Sequence, residues 1–118
     1  MDIDLVHNGV RITILDGPNI ENGKPTALAM EHVGRIVEML DDLRRFAAKK
    51  LLKMYNETWI NDEIGPIDER GFVDRLINPS IDLYEIGYVL VYFDDSGLFA
   101  GHHVSVTVDN GVPTRAKI

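Results

Sequence analysis

Apolar and polar residues follow a two-residue period at both ends of this chain and a helical period in between. The opening "IDLVHNGVRITIL" sets Asn8-Gly9 between two β-rich runs, which predicts a hairpin with strands near 3–7 and 10–15. "DGPNIENGKP" is a turn-rich connector. From Thr26 the period changes. Ala29, Val33, Ile36, Val37, Leu40, Leu43, Ala47, Leu51 and Met54 share one helical face, opposite Glu31, Arg35, Glu38, Asp42, Arg45, Lys49 and Lys53. A single helix over 27–54 would run about 42 Å, longer than a globule of about 35 Å diameter, and would set Arg44 on its apolar side. The pattern therefore predicts two helices, broken near Asp41-Asp42, with one of these aspartates as the second cap.

"MYNETW" ends the helical pattern, with Asn56 suited to a left-handed closing position and Trp59 to a core anchor. Asp68 is placed to cap a short third helix, flanked by Ile67 and Phe72 as a hydrophobic staple, and Asn78-Pro79 ends it. The remainder reads as a meander with strands near 81–84, 87–93, 98–108 and 112–118. A tight turn at Asp94–Gly97 would oppose Phe93 to Leu98, Val91 to Ala100 and Val89 to His102. Leu98, Ala100, His102, Val104, Val106 and Val108 then line the apolar face. A three-residue Asp109-Asn110-Gly111 loop would pair Val108 with Val112, Val106 with Thr114, Val104 with Ala116 and His102 with Ile118. The last strand, bearing Pro113, Arg115 and Lys117, suits a sheet edge. These elements predict one α+β domain spanning residues 1–118, with two or three helices on one face of a mostly antiparallel sheet.

Composition narrows the class. The 118 residues are 45% hydrophobic and 26% charged, enough for one core, and contain no cysteine, which removes disulfides and thiolate chemistry. The longest apolar run, "YVLVYF", is too short to span a bilayer. "MDIDLVHNG" lacks the features of a signal peptide, so cytoplasmic residence is expected. The net charge of −7 is unevenly spread: residues 57–95 hold ten acidic side chains against Arg70 and Arg75, while residues 24–56 hold seven basic and four acidic. That balance disfavours nucleic acid; it favours a basic protein partner or serves only solubility.

Candidate chemistry is concentrated in "YFDDSGLFAGHHVSV". Asp94, Asp95, His102 and His103 are suitable metal ligands or acid–base groups for a small hydrolase. Adjacent strand residues point to opposite faces, however, so His102 and His103 cannot chelate one ion together without a bulge. His102 is expected as a buried structural imidazole. His103 is expected on the other face with Tyr88, Tyr92 and Phe99. No HExxH, nucleophile elbow, phosphate-binding loop or dinucleotide fingerprint accompanies them. His7 and His32 fall in a turn and on a helix margin.

The runs "RRFAAKKLLKMYNETW", "GFVDRL" and "SIDLYEIGYVLVYFDDSGLFAGHHVSVTVDNGVPTRAKI" resemble a bacterial family of small domains of unknown function. Its pattern falls here on Asn56, Glu57 and Trp59, on Phe93 to Asp95, and on Leu98, Phe99, Gly101 and His102. Ala100 replaces the aromatic residue often found in the family. Domains resembling it occur among candidate immunity proteins of bacterial toxin systems. With the acidic segment, the resemblance implies a non-catalytic protein, without metal or cofactor, that neutralises a basic toxin such as a nuclease domain. The expected contacts are Asp62, Glu63, Asp68, Glu69, Asp82, Tyr84 and Glu85.

Overall fold

The computed structural model describes residues 1–85 and 87–118. Strands β1 (Ile3–His7) and β2 (Val10–Ile14) form the expected hairpin. Asn8 and Gly9 both adopt left-handed φ, 50° and 80°, as a two-residue turn of the I′ type requires. The connector holds a second, minimal hairpin, β3 (Ile20–Glu21) and β4 (Lys24–Pro25).

Helix α1 (Ala27–Glu38) starts at Thr26, whose hydroxyl accepts the Ala29 N–H at 3.0 Å. Helix α2 covers Leu40–Met54. The break falls at Met39, two residues before the aspartates, and no side chain caps α2. Asp41 and Asp42 instead lie in its first turn and pair with Arg44 and Arg45. Backbone bonds run through the junction, from Met39 to Arg35 and from Leu43 to Met39, so the helices follow one another across a bend. The expected globular diameter does not constrain them: the molecule measures 51 × 22 × 20 Å. Arg44 tolerates the apolar side because its Nε donates to the Leu76 carbonyl at 2.8 Å and its guanidinium lies 5.1 Å from the Phe93 ring centre.

A widened turn of π-helix, Tyr55–Trp59, follows α2. Asn56 is not a left-handed cap. Its side-chain amide donates to the Ile67 carbonyl at 3.0 Å and accepts from the Ile67 N–H at 3.1 Å, pinning the 60–68 loop. The buried Tyr55 hydroxyl donates to the Gly65 carbonyl and accepts from the Asn61 N–H, holding the same loop from inside. Helix α3 (Glu69–Asp74) begins as expected, with the Asp68 carboxylate accepting the Gly71 N–H at 2.8 Å and Phe72 fully buried.

The remaining strands are β5 (Ile77–Glu85), β6 (Tyr88–Asp94), β7 (His103–Asp109) and β8 (Val112–Lys117). The six-stranded sheet has the order β1-β2-β5-β6-β7-β8. Every neighbouring pair is antiparallel except β2–β5, whose parallel pairing needs the crossover that the helices supply. Strand β8 is an edge. Val89, Val91, Phe93, Val104 and Val106 are fully buried in the core shared with Val33, Ile36, Leu43, Ala47 and Leu51 of the helices.

Two registers differ from expectation. Phe93 opposes Val104, and Asp94 opposes His103; residues 95–102 leave the sheet as a loop. The β7–β8 connection is the two-residue Asn110-Gly111 turn, with Asp109 opposite Val112 and Val108 opposite Pro113. A bulge at Thr114 then sets Thr107 opposite Arg115 and Val106 opposite Ala116. The turn keeps its preferred Asn-Gly geometry, and the bulge returns Ala116 to the core side.

His32 is buried, not marginal, and its Nε2 finds no hydrogen-bond partner among the described residues. Burial first, and the Arg35 charge second, hold its pKa below the ordinary 6.5. A depressed folded pKa means the neutral ring stabilises the fold fully above the unfolded value. That contribution is lost as pH falls below about 6.5 and through the folded value. Thermal melts should therefore show a drop in Tm between pH 7 and pH 5 that is smaller in His32→Leu. Equal acid sensitivity in both proteins would assign the drop to other groups.

Candidate functional site

The acidic residues singled out in the sequence separate into two groups. Asp62, Glu63, Asp68 and Glu69 are exposed on and just after the loop that Asn56 and Tyr55 fix. The loop lies near the start of β5, because the Asn61 side-chain amide donates to the Gly97 carbonyl at 3.3 Å and β6 ends beside Ile77. Asp82, Tyr84 and Glu85 lie toward the opposite end of β5, a strand of nine residues, roughly 26 Å from end to end. The two groups do not form one compact site.

The second group belongs to the sheet face away from the helices. On that face one row runs Thr13, Asp82, Leu90, Thr107, Arg115, and the next runs Arg11, Ser80, Tyr92, Ser105, Lys117. Asp4, opposite Thr13, accepts the Thr13 hydroxyl at 2.8 Å. Asp82 has its pKa raised, by burial first and then by the Asp4 and Asp2 carboxylates. Asp2 and Asp4 thus extend the acidic corner, which the sequence reading did not find. The spacing of Asp2, just before β1, and Asp4 within it is visible in the sequence, but the parallel β2–β5 pairing that brings them toward Asp82 is not. Tyr84 is exposed and its ring lies 5.5 Å from that of Tyr88. Tyr92 also has a raised pKa, from burial first and then from Asp82, Tyr84 and Tyr88, so its hydroxyl stays protonated.

The hairpin aspartates and histidines do not converge as a four-residue centre. Asp95 is buried and turned into its own loop, where one carboxylate oxygen accepts the Gly97 N–H at 2.9 Å and the other the Phe99 N–H at 2.8 Å. His102 is exposed, against expectation, because strand β7 starts only at His103. Its ring meets the edge of half-buried Trp59 at 5.7 Å. Phe99 is in the core, not beside His103. His103 and Asp94 do meet, with Nδ1 at 3.4 Å from Oδ1 on the open face. Ser80 lines the same recess but lies two strands from His103 in the sheet order, so their backbones are about 10 Å apart. The pair is an oriented imidazole without a nucleophile hydrogen-bonded to it. Among the described residues no group of three or more His, Asp or Glu is arranged to hold a metal ion. With its imidazole exposed, His102→Ala should cost only about 0.5–1 kcal/mol, the remainder of the edge contact with Trp59. A loss above 2 kcal/mol in denaturant unfolding would contradict this placement.

The chain is an α+β domain with one helix-covered sheet face and one open face that exposes carboxylates and tyrosines. Residues 6–118 match a family described as an uncharacterized protein conserved in bacteria (DUF2262), and the chain belongs to that family. No curated protein and no solved structure matches it. Among the described residues no helix is long and apolar enough to cross a membrane.

Proposed function

We propose that this protein is a non-catalytic interaction domain, an immunity-type protein that neutralises a basic bacterial toxin domain by binding it. The observation that carries this reading is the pairing of its charges. In the helical part, Glu31, Asp41, Asp42 and Glu57 each have an internal cation: Arg35, Arg44, Arg45 and Lys53. Among the described residues, Asp62, Glu63, Asp68, Glu69, Asp82 and Glu85 form no ion pair. Asp68 is committed to its helix cap. The others are left to attract a cationic surface, and a nuclease domain, which must hold phosphates, presents one. The exposed Tyr84–Tyr88 pair beside Asp82 and Glu85 offers the amphipathic rings that anchor such contacts.

The test is co-expression with the product of the adjacent reading frame, scoring cell survival, and purification of the two as a complex. Survival with a one-to-one complex supports the reading. Survival without a complex, or no protection, removes it. The alternative of a small metal-dependent or acid–base hydrolase would rest on the His103–Asp94 pair alone, since His102 and Asp95 are engaged elsewhere.

A further inference from the structure

On the open face, where β2, β5, β6 and β7 lie side by side, a recess of about 450 Å³ is lined by Arg11, Asn78, Ser80, Tyr92, Asp94 and His103. Its volume falls within the range of roughly 300–1,000 Å³ common for small-molecule sites. The sequence builds it in three ways. The register sets Arg11, Ser80 and Tyr92 in one row across three strands. Asp94 and His103 are paired in the next row. A bulge between Ile77 and Ser80, with Asn78 at φ 52°, turns Asn78 toward Asp94.

The hydrogen-bonding inventory of this recess is lopsided. Its one carboxylate is already engaged: Oδ2 of Asp94 accepts from the Asn78 amide at 2.9 Å, and Oδ1 faces Nδ1 of His103 at 3.4 Å. Arg11 forms no ion pair among the described residues, and its guanidinium carries five donors. The Ser80 and Tyr92 hydroxyls have no partner among the described side-chain hydrogen bonds, whereas Nε2 of a neutral His103 ring, its Nδ1–H turned to Asp94, is an acceptor. Fixed positive charge and unspent donors thus gather in one concavity of an otherwise acidic protein. That combination suits an acceptor-only ligand of negative charge.

We propose that this recess binds a small oxyanion, a phosphate or carboxylate group, through the Arg11 guanidinium and the Ser80 and Tyr92 hydroxyls, with the His103 ring at its margin. Asp94 and Asn78 position the His103 ring and do not touch the ligand. The proposal does not rest on the toxin-binding reading, although Asp82 and Tyr84 of that reading lie on the same face beside Tyr92.

The experiment follows the His103 ring and the Arg11 and Ser80 amide resonances by NMR. Sodium phosphate and sodium acetate are titrated separately, each against sodium chloride at matched ionic strength. The expected result is a saturable shift with one of the two oxyanions and none with chloride, which also distinguishes phosphate from carboxylate. Arg11→Gln should weaken that binding at least tenfold while its melting curve stays that of the native chain. Shifts that track ionic strength alike in all three salts would overturn the proposal. So would saturable binding unchanged in Arg11→Gln.

Discussion

Phe99→Ala should be the most damaging single substitution in the chain, lowering stability by about 3–5 kcal/mol. The ring is fully buried and meets three other aromatic rings edge-on: Tyr55 at 5.9 Å, Trp59 at 5.8 Å and Phe72 at 6.1 Å. Those partners come from the π-turn and α3, so Phe99 ties the 95–102 loop to the helical layer. Truncation removes the burial and leaves a cavity walled by rigid rings that cannot collapse into it. A small domain has only about 5–15 kcal/mol in total, so Tm should fall by roughly 10–20 °C. Phe99→Leu, which keeps most of the volume, should lose less than half as much. A loss below about 1 kcal/mol for the alanine variant would show that the ring does not hold the loop to the core.

That loop also marks where the sequence stopped being legible. Features set by neighbours in the chain match the sequence pattern: the Asn8-Gly9 turn, the Asp68 cap of α3, and the edge character of β8. The faces of β6 and β7 follow from alternation even though their register does not. The expected register opposed Phe93 to Leu98 and the observed one opposes it to Val104, a slip of six residues. An even slip leaves every side chain on its face, so Val104, Val106 and Val108 stay buried while residues 98–102 move out of the strand. What alternation could not show is that Leu98 and Phe99, adjacent in sequence, are both buried. Their placement depends on Asp95, whose carboxylate bonds two backbone N–H groups and folds the loop inward. His102 looked like a core residue only because a strand was drawn through it. The candidate contact residues differ in another way: each is exposed or half-buried, but the parallel β2–β5 pairing and the loop fixed by Asn56 send them to different ends of β5.

Charge reversal on the 60–68 loop and at Glu69, the first residue of α3, should slow association with the toxin domain by ten-fold or more at low salt. The variant to use is Asp62→Lys, Glu63→Lys, Glu69→Lys, leaving Asp68 in place. Asp68 caps α3, and its loss would cost about 1 kcal/mol of stability, confusing a folding defect with a binding one. The other three carboxylates are exposed and form no ion pair among the described residues. The triple variant shifts the net charge by six units from −7, and Tm should move by only a few degrees, since exposed charges contribute little to stability. Long-range attraction is screened over about 8 Å at physiological ionic strength, so the wild-type rate should fall steeply as salt rises and the variant's rate should barely respond. The matched control reverses Arg45, Lys49 and Lys53, exposed on α2, and should leave association unchanged or faster. A second arm, Tyr84→Ala with Tyr88→Ala, asks where the complex is anchored once formed. If those rings are the anchor, dissociation should accelerate while the association rate holds. If the acidic variant associates and protects cells like the wild type while the tyrosine variant fails, the open face is the contact surface and the loop carboxylates serve solubility. If both variants behave as wild type, neither end of β5 carries the partner and the toxin-binding reading fails.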